Sequence, residues 1–246
     1  MLLLYAYTVD GLIMKVKCLT LNRLIDAAYL CGLDSTPINM MIAMPPGSGK
    51  TWSTSSIKNA NFVQYLNKVY SPNEHRLIIG QSAARTCLLI NDDLGLLARW
   101  NQSEYFSTLC MVMDGELLFK QFRSLQHAVF KCSVVLCCTS EYYNQNHDNM
   151  AGMGLIDRLI PVSMNISKDT RSKYQDFSQT SSIYDFDAPK RTPVIQEPGI
   201  VQDAIIKEMN LDPRLLRNIR RISRYLTEDE LFELIEIANN PGRYEL

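Results

Sequence analysis

From Thr20 onward the chain shows helical spacing: Leu21, Leu24, Ile25, Ala28, Tyr29 and Leu30 share one face, and Gly32 stops the run. Ile38 to Met44 is apolar apart from Asn39, as a strand buried on both faces should be. Pro45 to Gly49 then turns the chain, and a helix is expected near Lys50. His75 to Gln81 and Thr86 to Ile90 read as two further strands. Trp100 to Met113 reads as a helix ended by Asp114-Gly115, and Glu116 to Phe122 and His127 to Thr139 as extended segments. The second of these ends in the apolar stretch Val134 to Cys138. A short helix over Gly154 to Ile160 and a strand over Pro161 to Met164 follow.

The ends of the chain read differently. Met1 to Cys18 alternates loosely and suits a short hairpin turning at Asp10-Gly11. Asn165 to Gly199 is rich in Ser, Thr, Asp, Lys and Pro and has no period, which predicts a linker or mobile loop. Three helices are expected after it: Ile200 to Met209, Pro213 to Leu226 and Glu228 to Asn239, the last capped by Thr227 with Glu230 at the capping-box position. The division is therefore an N-terminal arm and helix at 1–35, a core at 36–164, a linker at 165–199 and a small helical unit at 200–246.

Composition narrows the classes. A formal net charge of −1 argues against a surface that grips nucleic acid everywhere, while leaving a local basic patch open. The cysteines number 7 with no Cys-x-x-Cys spacing, so buried free thiols are expected over a metal site, which suits a reducing, cytoplasmic setting. No run approaches the roughly 18 apolar residues of a membrane span, so no membrane partner is expected.

The chemistry begins at Met44-Pro-Pro-Gly-Ser-Gly-Lys-Thr51. Between a buried strand and a helix, Pro46, Gly47, Ser48 and Gly49 let the backbone curl so that N–H groups face phosphate oxygens. Lys50 then reaches the β- and γ-phosphates of ATP, and the Thr51 hydroxyl ligates Mg²⁺. Met44 stands where the usual pattern has Gly. Leu88 to Asp93 is an apolar strand ending in consecutive carboxylates. Asp92 suits the Mg²⁺ shell through water, and Asp93 suits orienting or deprotonating the attacking water. Asp is shorter than the Glu more often found at that second position, which points to slow hydrolysis or help from a neighbour. Val134 to Ser140 is a third buried strand ending in hydroxyls, with Ser140, or else Thr139, placed to hold the lytic water from the other side.

This order of parts resembles the AAA+ family of P-loop ATPases from about Leu21 to Asn240. The loop resembles that family's Walker A motif, Leu88 to Asp93 its Walker B, and Val134 to Ser140 its sensor 1 strand. Gly154 to Val162 is similar to the segment carrying an arginine finger, which makes Arg158 the candidate. Asp212 to Arg217 resembles the sensor 2 helix of the small lid, with Arg214 in the sensing position. The resemblance implies a three-layer α/β P-loop sandwich around a mostly parallel sheet, with a small C-terminal all-α lid. It also implies a homo-oligomer, a hexameric ring or else a helical filament, because an arginine finger acts on the neighbouring subunit's nucleotide.

Asp114 to Thr139 is similar to the hairpin inserted before sensor 1 in some AAA+ helicases and remodellers, although an ordinary helix-strand connection reads equally well. At a hairpin tip, Lys120, Arg123 and Lys131 suit a nucleic-acid backbone, whereas Phe119 and Phe122 suit a threaded protein. The leading expectation is an ATP-driven motor on nucleic acid (a helicase, a loader or a mobile-element or viral replication ATPase), working beside a separate recognition protein. A protein-remodelling ATPase and a nucleotide-gated scaffold are the alternatives.

Overall fold

Parallel strands occupy the middle of the molecule. The computed structural model describes residues 20–99, 101–165, 213–239 and 244–245. Its main sheet is built from β1 (Asn39–Ala43), β2 (Val63–Leu66), β3 (Leu88–Asn91), β6 (Ser133–Cys138) and β7 (Ile160–Asn165). They lie in the order β2-β3-β6-β1-β7 with every neighbouring pair parallel, and the short β8 (Tyr244–Glu245) adds to the β7 edge. The remaining strands, β4 (Glu116–Gln121) and β5 (Ser124–Val129), form a separate antiparallel hairpin.

Alternate residues of a strand point to opposite faces, so a parallel sheet buried on both sides needs two cores. Met40, Ile42 and Met44 enter one core. Met41 and Ala43 enter the other. The first face is covered by α1 (Leu21–Leu33), α7 (Pro213–Ile222) and α8 (Glu228–Asn239). The second is covered by α3 (Pro72–Ser82), α4 (Leu94–Leu97), α5 (Gln102–Met113), α6 (Ser140–Gly152) and the hairpin. The remaining helix, α2 (Lys50–Ser56), follows the loop after β1. The chain therefore has the layered α/β fold that the sequence pattern implied.

Residues 75–81 are helical, not a strand. Ser71 Oγ accepts from the Glu74 N–H at 3.4 Å, the Glu74 carboxylate accepts from the Ser71 N–H at 2.9 Å, and Pro72 opens the first turn. This capping box nucleates α3, and its buried positions His75 and Ile79 then fall one turn apart. The strand β2 and the helices α4 and α6 are additions to the expected elements.

Of the region expected to form a lid, residues 213–239 pack on the sheet itself and share the core of α1 through Ile219, Ile222, Leu231, Leu234 and Ile237. Arg23 of α1 clamps Glu230 of α8 through Nε–Oε1 at 2.8 Å and Nη2–Oε2 at 3.1 Å. Thr227 and Glu230 make the expected capping box. The expected N-terminal hairpin at 1–18, most of the linker and the helix at 200–209 lie outside the described residues. Cys31, Cys87, Cys110, Cys132, Cys137 and Cys138 are free and buried, as expected of core thiols. Among the described residues no helix is long and apolar enough to cross a membrane.

Candidate functional site

Three strand ends meet at one edge of the sheet. The loop leaves the C-terminal end of β1, and register pairs Ala43 with Cys138 and Asn91 with Leu136. Asp92 and Ser140 thus follow strands on the same side as the loop. Gly47 and Gly49 take the left-handed φ values of 73° and 86° that let the loop double back before α2. Lys50 bends over this curl. Its Nζ donates to the carbonyls of Met44 at 2.7 Å and Pro45 at 2.9 Å and to Ser48 Oγ at 3.3 Å. Burial lowers the Lys50 pKa, while the carboxylates of Asp93 and Asp92 act to raise it.

The Met44 carbonyl joins two predicted parts of the site, because it also accepts from the Ser140 N–H at 3.3 Å. Ser140 Oγ is buried and has no hydrogen-bond partner, an unmet valence beside the loop. Thr139 caps α6 instead, its hydroxyl accepting from the Tyr142 N–H at 3.0 Å. Of the two hydroxyls left open by the sequence, Ser140 is the one not engaged locally.

Asp92 is tied to the loop helix through a residue that sequence reasoning missed. Thr54 Oγ1 donates to Asp92 Oδ1 at 2.7 Å and lies 3.3 Å from the Tyr65 hydroxyl. Thr54 is fully buried. Burial raises the Tyr65 pKa well above its ordinary value, and Asp92 adds to the rise. Nothing in the spacing of Thr54 or Tyr65 signals this contact, because it depends on how α2 and β2 pack against β3. Thr51 is exposed at the start of α2. Asp93 caps α4, one oxygen accepting from the Leu96 N–H at 3.1 Å. Asp92 and Thr51 offer hard oxygen donors, the chemistry that Mg²⁺ takes.

Arg158 is elsewhere. It stands just before β7, whose Ile160 pairs with Met40 at the start of β1. Four residues of strand, about 13 Å at the usual rise, separate that level from Met44. The structure does not bring Arg158 to this chain's own loop. Its guanidinium is instead paired in two places with Asp114, Nε to Oδ1 at 2.8 Å and Nη2 to Oδ2 at 2.8 Å. These bonds to Asp114 raise the Arg158 pKa.

Arg214 lies in α7, and its side chain is outside the described residues. The nearby arginines differ among themselves: Arg217 and Arg224 are exposed, while Arg221 donates to the Pro37 carbonyl at 2.6 Å.

The segment before β6 is a β-hairpin and not a plain connection between helix and strand. One face packs on α3 and α5 through Leu117, Phe119 and Ala128. The other carries Leu118, Lys120, Leu125, His127 and Val129 outward. Phe119 is buried and is therefore not a tip residue. The tip is Phe122-Arg123, both in left-handed conformations with φ of 47° and 70°. For side chains with a Cβ this costs about 1–2 kcal/mol per residue. Phe122 is 94% exposed.

No protein-family model matches the chain, and no curated protein matches it in sequence.

Proposed function

We propose that this protein is an ATPase of the AAA+ kind that binds ATP with Mg²⁺ at the loop after β1 and couples hydrolysis to work on nucleic acid. One observation carries the reading: the Gly-rich loop with Lys50, the Asp92-Asp93 pair and the unpartnered Ser140 hydroxyl lie at adjoining ends of three parallel strands. In this reading the first N–H groups of α2, which have no partners within a helix, bind phosphate oxygens. Lys50 exchanges the Met44 and Pro45 carbonyls for the β- and γ-phosphates. Mg²⁺, held by Thr51 and through water by Asp92, supplies neutralisation of phosphate charge when bound. Asp93 and Ser140 hold the attacking water from two sides. Arg158, held at the far end of the strand from its own loop, meets the nucleotide of a neighbouring subunit, so the working form is a homo-oligomer, with a hexameric ring favoured.

The nucleic-acid reading is supported by the hairpin tip, where Arg123 and Lys120 flank an exposed ring that can stack on a base. A threaded protein is the second reading, favoured by the same exposure of Phe122. The test is steady-state ATP turnover of the full chain, with and without single-stranded DNA or RNA. Wild-type turnover should rise on adding nucleic acid, Arg123→Ala should lose that rise, and Lys50→Ala should bind no ATP by calorimetry. Undiminished binding by Lys50→Ala would sink the phosphate-loop assignment. A response flat to both nucleic acids would move the substrate to protein.

A further inference from the structure

The Arg158 guanidinium is held more tightly than a surface arginine needs to be. An arginine has five N–H donors. In this chain Nε and Nη2 donate to the two oxygens of Asp114, and Nη1 donates to the Gly154 carbonyl. The forked pair fixes the plane of the group, and the third bond fixes its rotation. Two donors remain for an incoming anion, so a phosphate can be met without breaking the clamp. Gly154 is shaped for this contact, since a Cβ there would lie 2.8 Å from Arg158 Nη1.

The clamp also joins two other parts of the molecule. Asp114 ends α5, and the next residue, Gly115, closes the base of the hairpin by accepting from the Phe130 N–H at 2.7 Å. The Arg158 carbonyl accepts from Asn218 of α7 at 3.2 Å, one turn beyond Arg214. Arg158 therefore sits between the base of the hairpin and the helix of the candidate sensor.

We infer that Asp114 is a positioning residue for Arg158: it aims the guanidinium at the nucleotide of the neighbouring subunit and makes that aim depend on where the hairpin stands. The inference rests on the ATPase reading above. Its partners are an anionic phosphate on one side and the hairpin on the other. Only the hairpin side is built into this chain.

The experiment is ATP turnover by the full chain bearing Asp114→Asn, which keeps the side-chain shape and removes the charge. Maximal turnover should fall roughly 10- to 100-fold, the scale of a misaimed catalytic group, with KM for ATP within about twofold of wild type. Asp114→Glu should restore part of the loss. Asp114→Asn combined with Arg158→Ala should be no slower than Arg158→Ala alone, because both act through one group. Should Asp114→Asn not give folded protein, Asp114→Ser is held to the same criteria. Wild-type turnover with an unaltered Asp114→Asn overturns this inference alone. So does a loss that appears in KM, or one that adds fully to Arg158→Ala. Wild-type protein without turnover overturns the ATPase reading and this inference together.

Discussion

Replacing Gly80 with Ala sets two known effects against each other. Gly80 lies within α3, where Ala in place of Gly stabilises an exposed helix by about 1 kcal/mol. Here the added Cβ would stand 2.3 Å from Cδ1, 2.6 Å from Cε1 and 2.7 Å from Cγ of Phe119. Ordinary contact begins at 3.4 Å, so the ring must retreat by about 1 Å. Cγ is the ring's point of attachment, so rotating the ring does not clear it, and Phe119 is buried with little space to yield. Overpacking of this kind costs about 1–3 kcal/mol, which outweighs the helix gain. The net expectation is a loss of about 1 kcal/mol, read as a fall of roughly 0.3–0.5 M in the urea midpoint with an unchanged slope. Because Phe119 fastens β4 to α3, the retreat also moves the hairpin. Stimulation of turnover by nucleic acid should fall while ATP affinity holds. A midpoint that rises instead refutes the reasoning, since it means that the ring swings aside freely and does not anchor the hairpin.

Two further outcomes are expected. Thr54→Val removes the hydroxyl that donates to Asp92. Hydrogen bonds to charged groups contribute about 1.5–3 kcal/mol, reduced here to about 1 because Asp92 is partly exposed. Calorimetry should therefore show roughly fivefold weaker ATP binding with Mg²⁺ and little change without it. His75 is buried against Tyr105, with ring centroids 4.2 Å apart and both ring nitrogens unpartnered. Burial lowers its pKa from 6.5 to about 4, with Arg76 adding to the fall. The folded state thus disfavours the proton that the unfolded chain accepts. Stability is intact above pH 6.5 and is lost progressively as pH falls from there towards 4, by about 3 kcal/mol in all. His75→Phe keeps the stacking and removes the titration, so urea midpoints measured across that range should decline less steeply than in wild type.

The strands that hold the loop were legible because each is apolar almost throughout: Ile38 to Met44 apart from Asn39, Thr86 to Ile90 apart from Thr86 itself, and Val134 to Cys138. The loop itself was legible from spacing. Residues 75–81 misled because Leu77, Ile78 and Ile79 are consecutive and apolar, while the deciding signal, Ser71-Pro72 with Glu74, lies ahead of them. Thr54, Tyr65 and Asp114 were not legible at all. Each acquires its partner through packing between elements distant in the chain, and a lone polar residue in sequence does not reveal which carboxylate or guanidinium it will face.

The shared core of α1, α7 and α8 bears on how this protein can be cut. A fragment ending at residue 165 would keep the loop, Asp92, Ser140 and α1, yet it would leave Ile160 and Val162 of β7 without α7 and α8, which share their core. Exposed apolar area of that kind drives association between copies. The edge of the sheet that carries the loop is thus tied to the last helices of the chain, and residues 213–239 belong in any minimal piece used to test nucleotide binding.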